Sequence, residues 1–396
     1  MLSERQIFLK HIAQTSENPL LLEVERAEGM WLYGKNGEKW MDLIAGISVS
    51  NLGHCHPEIV KAVQNQAQTF MHTLVYGELL LSPQVELAKL LTSILPDTLQ
   101  QVYFTNSGTE AVEGAMKLAK RYTGRHEIAS FHNAYHGSTQ GALSMLGDEY
   151  WRNQFRPLLP GIKRLTYNSL EDLSLITEQT AAVFIDPVQA ESGVTVPSKN
   201  YMQALRERCN ETGTLLVLDE IQTGCGRTGR MFAFEDVEIV PDILLLAKGF
   251  GGGMPIGAFI SSTEIMSSLS HDPVLGHITT FGGHPVSCAA ALANLQVLLR
   301  EDYIKEVASK EKIFLEHLQH HAIQKITHKG LMMAVHLDSF ENLQKVMHAC
   351  IRRGVLTDWF LFEPNAIRIA PPLIIQEEEI VFACEVIISA LDEVYS

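Results

Sequence analysis

Long apolar runs are missing from this chain of 396 residues: none approaches the ~18 residues that a membrane-spanning helix needs. The first residues, MLSERQIFLKHIAQ, interleave charged and apolar side chains and lack the apolar centre of a secretory leader, so none is expected. Positive charge is scarce as well. Lys and Arg number 31 against 46 Asp and Glu, a formal net charge of -15, which leaves no basic stripe to neutralise phosphates and argues against a nucleic-acid partner. The six cysteines (Cys55, Cys209, Cys225, Cys288, Cys350, Cys384) are scattered with no CxxC, a usage that suits a reducing cytoplasm with thiols as core filler. No internal repeat, low-complexity tract or linker rich in Pro, Gly and Ser is present.

What the chain does have is length and a rhythm. It exceeds the size at which one hydrophobic core stops growing, so two domains are expected. Short apolar runs bounded by turns or charges recur: QQVYFT, HEIASF, AAVFID, GTLLVLDE, DILLLAKG and PIGAFISS. Such runs suit strands buried on both faces. Helical patterns lie between several of them, and two, EAVEGAMKLAKRYTG and KNYMQALRERCNETG, end in the glycine that commonly stops a helix. This alternation predicts an α/β fold with a large, mainly parallel sheet. From about residue 285 the texture changes to a long apolar helix, SCAAALANLQVLL, followed by shorter elements. The expected division is an N-terminal segment over 1–45 that joins a small domain, a large domain over 46–284, and a C-terminal small α/β domain over 285–396.

Ligands of open α/β sheets gather at the carboxyl ends of the strands, which directs attention to the residues just after each apolar run. Lys248 comes directly after DILLLA and precedes four glycines in five residues. A lysine desolvated there has a lowered pKa and a free amine able to form an imine; otherwise it snorkels to solvent. Asp219 ends GTLLVLD in the same way. It suits a helix cap, a metal ligand or the partner of a cationic ligand atom, such as the protonated ring nitrogen of pyridoxal 5′-phosphate (PLP). Gly224, Gly226 and Gly229 soon afterwards weigh against the cap. In TNSGTEAVEGAMKLAKRYTG, Ser107 and Glu110 have capping-box spacing, and the N–H groups of Gly108 and Thr109 at the same helix start suit a phosphate.

Two motifs are decoys. GCGRTG (224–229) has the letters of G-x-G-x-x-G, but the dinucleotide fingerprint needs those glycines to open a helix straight after a strand. Here EIQT intervenes, and the next segment, RMFAFEDVEIVPD, makes a poor helix. His54-Cys55-His56 lies between Gly53 and Pro57 in a turn, with no second ligand cluster to complete a metal site.

Together these segments resemble the class III (ω-amino-acid) aminotransferases of PLP fold type I. The resemblance runs from about residue 18 to the C-terminus through NSGTEA (106–111), AYHGST (134–139), DPVQAESG (186–193), LVLDEIQTGCGRTG (216–229), LLLAKGFGGGMPIGA (244–258), TTFGGHP (279–285) and AIRIAPPL (366–373). It implies that Lys248 carries PLP as a Schiff base and shuttles the substrate proton, and that Asp219 pairs with the pyridinium nitrogen. Gln222 would meet the ring's phenolic oxygen. Tyr135 and Ile221 would cover its two faces, and His136 would belong to the cofactor site. Ser107, Gly108 and Thr109 would hold the phosphate, joined by Thr280 from a second subunit, so that a homodimer shares its active sites. Arg368 would grip a substrate carboxylate and Glu191 would cover that arginine when an amine-ended substrate enters; a permanent ion pair is the structural alternative.

Three departures from the family pattern qualify the substrate. Ser138 replaces an arginine that often grips the distal carboxylate of 2-oxoglutarate, Ile47 stands where ornithine aminotransferases have Tyr, and Asp186 stands where Glu is usual. The expected reaction moves an amino group from an acetylornithine-like or 4-aminobutyrate-like donor to a 2-oxo acid. The other classes considered are a same-fold aminomutase or PLP-dependent decarboxylase, and a non-catalytic interaction protein, which an intact Lys248 and Asp219 oppose.

Overall fold

All six apolar runs become strands of a single seven-stranded sheet in the computed structural model, which describes residues 2–396. From edge to edge the order is Gln101–Thr105, Gly257–Ser261, Ile243–Leu246, Leu215–Asp219, Thr180–Ile185, Glu127–Phe131 and Ile162–Leu165. Only Gly257–Ser261 runs antiparallel to its neighbours. The four central strands are buried along their whole length, because helices cover both faces and each residue must be apolar whichever way it points. The seventh strand, IKRL, is not among the apolar runs. It sits at the edge with three of its four residues partly exposed, so it carries two cations and no apolar signature.

Helix Gly108–Thr123 lies on this sheet and ends at Gly124, whose φ of 69° is the left-handed conformation that closes a helix at no Cβ cost. Helix Lys199–Thr212 ends likewise at Gly213, φ 62°. The apolar helix Pro285–Arg300 packs against Pro57–Thr69, Ser82–Ser93 and the short turn Lys248–Gly251. Its Asn294 Nδ2 donates to Gly249 O at 2.9 Å, supporting the turn beneath Lys248.

Two smaller sheets flank this layer. In one, Val24–Glu28, Trp31–Gly34 and Lys39–Asp42 are joined by Val355–Leu356, which pairs parallel to Lys39–Asp42. Residues from the two ends of the chain therefore share one sheet. The other is antiparallel, ordered Lys325–His328, Met333–His336, Ala366–Ile369 and Asp358–Trp359, with Arg368 opposite Ala334. No helix among the described residues is long and apolar enough to cross a membrane.

Candidate active site

The segments after Thr105, Phe131, Ile185, Asp219 and Leu246 all leave the carboxyl ends of their strands on the same side of the sheet. They line one cavity of about 490 Å³, bounded by Ser107, Gly108, Thr109, Tyr135, His136, Ser138, Asp186, Asp219, Ile221, Gln222, Lys248 and Met254. Five segments remote in sequence thus meet because parallel strands present their carboxyl ends together.

Lys248 begins the turn after strand Ile243–Leu246 and has a φ of 46°. A side-chain-bearing residue in the left-handed region costs ~1–3 kcal/mol, and such strain gathers where a side chain must be aimed. Its Nζ donates to Gln222 Oε1 at 2.9 Å. Burial lowers the Lys248 pKa below the ordinary lysine value; the Glu191 carboxylate opposes that shift and the Arg368 guanidinium adds to it.

Asp219 Oδ2 faces His136 Nδ1 at 2.7 Å, and Oδ1 accepts from Ile221 N at 3.0 Å. The carboxylate therefore does not cap a helix; it holds a local turn with one oxygen and an imidazole with the other. His136 is buried, which alone would lower its pKa, but the Asp186 and Asp219 carboxylates outweigh burial and raise it. Burial pushes Asp186 up to about 7, with Asp219 adding to the shift while His136 and Lys248 oppose it. The donor atoms of His136, Asp186 and Asp219 lie within 4.8 Å of one another. That spacing also suits a metal ion, but two of the three donors are already paired together.

The helix start departs from its expected form. Ser107 Oγ does accept from Glu110 N, at 3.3 Å, but Glu110 reaches back to Asn106 N and Nδ2, both at 2.8 Å, rather than to Ser107 N. The first-turn N–H groups of Gly108 and Thr109 have no acceptor within the helix. Gly137 makes the approach possible, since a Cβ there would collide with Thr109 Oγ1. Thr109 Oγ1 is already bonded to Thr139 Oγ1 at 2.7 Å. Tyr135 OH meets Ser138 Oγ at 3.0 Å.

Arg368 and Glu191 form a bidentate pair, Nη1–Oε1 2.7 Å and Nη2–Oε2 3.2 Å. Burial would raise the Glu191 pKa, but Arg368 outweighs it and holds the carboxyl below its usual value. Asp358, which the sequence does not single out, accepts from Arg368 Nε at 2.9 Å and is pushed up to about 6 by burial. Trp359 O takes a further Nη2 donor at 2.8 Å, and the Phe360 ring covers the guanidinium face at 4.5 Å. Four of the expected residues are not among those that line the cavity: Glu191 and Arg368, paired as above, and Thr280 and Ile47. Thr280 is exposed on the chain's own surface. Ile47 sits in a left-handed turn in which Ala45, Gly46, Ile47 and Ser48 have φ of 47°, 61°, 64° and 60°; Val49 just beyond it does line the cavity. His54, in the second decoy motif, faces Asp42 Oδ2 at 2.9 Å.

The donor set fits PLP: an amine of lowered pKa, a buried carboxylate for a ring cation, and a helix N-terminus for a phosphate meet in one cavity. Known proteins point the same way. The family described as aminotransferase class-III matches residues 12–391. The acetylornithine aminotransferase of Methanocaldococcus jannaschii is 40% identical over 384 residues, covering 93% of this chain and 92% of its own. That of Methanopyrus kandleri is 39% identical, covering 89% and 90%. Among solved structures, an ornithine aminotransferase from Toxoplasma gondii superposes with a TM-score of 0.91 at 29% identity, covering 98% of this chain and 93% of its own. An (S)-enantioselective ω-transaminase from Thermomicrobium roseum gives 0.91 at 30%, covering 100% and 99%. With the family pattern spanning nearly the whole length and the cavity holding the donor set its chemistry needs, the chain belongs to the class III aminotransferases and is a PLP-dependent enzyme of amino-group transfer.

Proposed function

We propose that Lys248 carries PLP as a Schiff base, that Asp219 pairs with the pyridinium nitrogen, and that the enzyme moves an amino group from an acetylornithine-like or 4-aminobutyrate-like donor to a 2-oxo acid. The observation that carries this reading is the meeting of Lys248 Nζ, lowered in pKa by burial, with the buried Asp219 carboxylate in one cavity. When bound, the cofactor supplies the electron sink that stabilises negative charge at the substrate carbon. The protein's side chains do the rest. Lys248, once its amine is released, takes the proton from the substrate carbon and returns it. Gln222 accepts from Lys248 through Oε1, which frees its amide nitrogen for the phenolic oxygen of the ring. Tyr135 and Ile221 cover the ring's faces, His136 buttresses Asp219, and Ser107 with the N–H groups of Gly108 and Thr109 binds the phosphate.

A homodimer belongs to this reading, with Thr280 of the partner subunit reaching the phosphate. Supporting it, Leu80 is 96% exposed and Met71, Val274, Ile278 and Phe281 expose apolar surface on segments next to the exposed Thr280, as residues at an interface do. The six free thiols suit a cytoplasmic enzyme.

Glu191 covers Arg368 while an ω-amine reacts and yields it to the carboxylate of the 2-oxo acid. The donor class follows the acetylornithine aminotransferases at 36–40% identity. A half-reaction screen tests it. Amines are added singly to the loaded enzyme, loss of the cofactor's visible band is followed, and a 2-oxo acid is then added. Discharge by N-acetylornithine or 4-aminobutyrate, reversed by the 2-oxo acid, is the expected result. If neither discharges the band while another amine does, the donor assignment is wrong. Discharge that no 2-oxo acid reverses would indicate an aminomutase instead.

The acceptor carries its own prediction. No arginine is among the residues lining the cavity, so a second carboxylate of the acceptor finds none at Ser138. An arginine–carboxylate pair in a partly desolvated site is worth ~1.5–3 kcal/mol, about tenfold to a hundredfold in binding. The expected outcome is a weak preference for 2-oxoglutarate over pyruvate that Ser138→Arg strengthens by at least ~tenfold in kcat/KM. A strong preference in the wild type that Ser138→Arg leaves unchanged would mean that another cation holds the second carboxylate.

A further inference from the structure

The turn around GCGRTG has a role that its resemblance to a dinucleotide fingerprint hides. Arg227, in its centre, has no exposed surface. No carboxylate lies within salt-bridge distance among the described residues; Asp42 acts on it only from further away. Its donors go to neutral oxygens instead. Nη1 donates to Leu331 O at 3.1 Å and to Pro371 O, and Nη2 donates to Asn51 Oδ1 at 2.5 Å. Leu331 N returns a bond to Arg227 O at 3.1 Å. Burial lowers the guanidinium pKa to about 9, which leaves it charged at neutral pH.

The three acceptors are informative together. Leu331 and Pro371 lie two residues beyond the last antiparallel pair, Met333 opposite Ile369, of the two strands in which Ala334 faces Arg368. The fork therefore clamps the open end of the ladder that carries Arg368. Asn51 forms the third arm. Its Nδ2 donates to Cys225 O at 2.9 Å, its O accepts from Leu373 N at 2.8 Å, and it packs so tightly on the Lys248 turn that a Cβ at Gly249 would lie 2.5 Å from Nδ2. Arg227 itself lies five residues after Gln222 in the same loop. One buried cation thus touches the loop after Asp219, the segment against the Lys248 turn, and both strands of the Arg368 ladder. A buried ion without a counter-ion is costly to keep, and an apolar side chain could fill the space but could not bridge three segments.

We propose that Arg227 is a positioning residue for substrate recognition: by bridging Asn51, Leu331 and Pro371 it holds the strand that carries Arg368 at a set distance from the Lys248 and Asp219 cluster. This rests on the assignment of Arg368 as the group that receives the substrate carboxylate. A 2-oxo acid must span from Lys248 to Arg368, and displacement of one end by about 1 Å is enough to cost up to ~100-fold in rate.

The test compares Arg227→Lys, Arg227→Met, Asn51→Ala and Arg368→Gln in the PLP-loaded enzyme. Each is measured for the KM and kcat of a 2-oxo acid, the KM of a simple amine without a carboxylate, and the dissociation constant of PLP. The expected result for Arg227→Met is a rise of about tenfold or more in the KM of the 2-oxo acid. The amine KM and the PLP dissociation constant should change less than about threefold. Arg227→Lys, which keeps a donor and a charge, should recover part of the loss. Should either Arg227 variant fail to fold, Asn51→Ala removes one arm alone and is expected to shift the same KM in the same direction. An equal rise in both KM values, or none in that of the 2-oxo acid, would make Arg227 a fold-stabilising residue only. Arg368→Gln separates the two claims. If it leaves the KM of the 2-oxo acid unchanged, the assignment of Arg368 fails and this inference with it. If it raises that KM while Arg227→Met and Asn51→Ala do not, the inference about Arg227 fails alone.

Discussion

Replacing Lys248 with alanine is expected to lower kcat by about four orders of magnitude or more, the combined loss of the proposed covalent attachment point and of the group proposed to move the substrate proton. The proposed phosphate site at Gly108 and Thr109 and the Asp219 carboxylate are untouched, so PLP should still bind, and the protein should stay folded because Lys248 makes one side-chain hydrogen bond, to Gln222. Borohydride treatment of the wild-type enzyme with PLP should fix the cofactor on Lys248 and on no other lysine. The structure explains why the choice is sharp. Lys310 is also buried, but its Nζ is held by Leu373 O at 2.7 Å and by Glu306 at 2.8 Å, away from the cavity. Burial lowers the pKa of Lys248, which favours the free amine that imine formation needs. A label recovered on another lysine, or wild-type turnover in Lys248→Ala, would remove the basis of the proposed mechanism.

The second large effect belongs to Asp219. Asp219→Asn keeps the shape of the side chain and an oxygen to accept from Ile221 N, so the turn after the strand should persist. What it loses is the charge proposed to hold a proton on the ring nitrogen, which also helps raise the His136 pKa. Removing one preorganised electrostatic partner of a reacting centre costs ~10²–10³ in kcat, and a loss in that range is expected with PLP binding largely retained. Turnover within a few-fold of wild type would show that Asp219 serves its imidazole partner and the local turn, not the cofactor. Asp186 offers an internal comparison. It lies in the same cluster, but burial pushes its pKa up to about 7, which disfavours its charged form.

The elements that can be recognised from the sequence are those whose cause is local. A strand buried on both faces must be apolar throughout, so AAVFID, LLVLD and ILLL announce themselves, and the glycines at 124 and 213 mark helix ends because a left-handed residue is needed there. Lys248 and Asp219 stand out for a related reason: each is a charge placed at the end of such a strand or directly after it. The strand Ile162–Leu165 escapes because an edge position tolerates Lys163 and Arg164 and so breaks the pattern. Glu110 has the spacing for a capping box, yet it bonds Asn106, a choice decided by the path of the chain into the helix. What only the tertiary structure decided are pairings between residues far apart in sequence. His136 and Asp219 are 83 positions apart, Glu191 and Arg368 are 177 apart, and Arg227 reaches Pro371 across 144. Asp358, by contrast, is only ten residues from Arg368, and still nothing in TDWFLF marks it as the arginine's second partner. Periodicity and propensity record how a segment meets water. They do not record which segments the sheet order brings together, and that order is what turns a poor dinucleotide motif into a buried clamp.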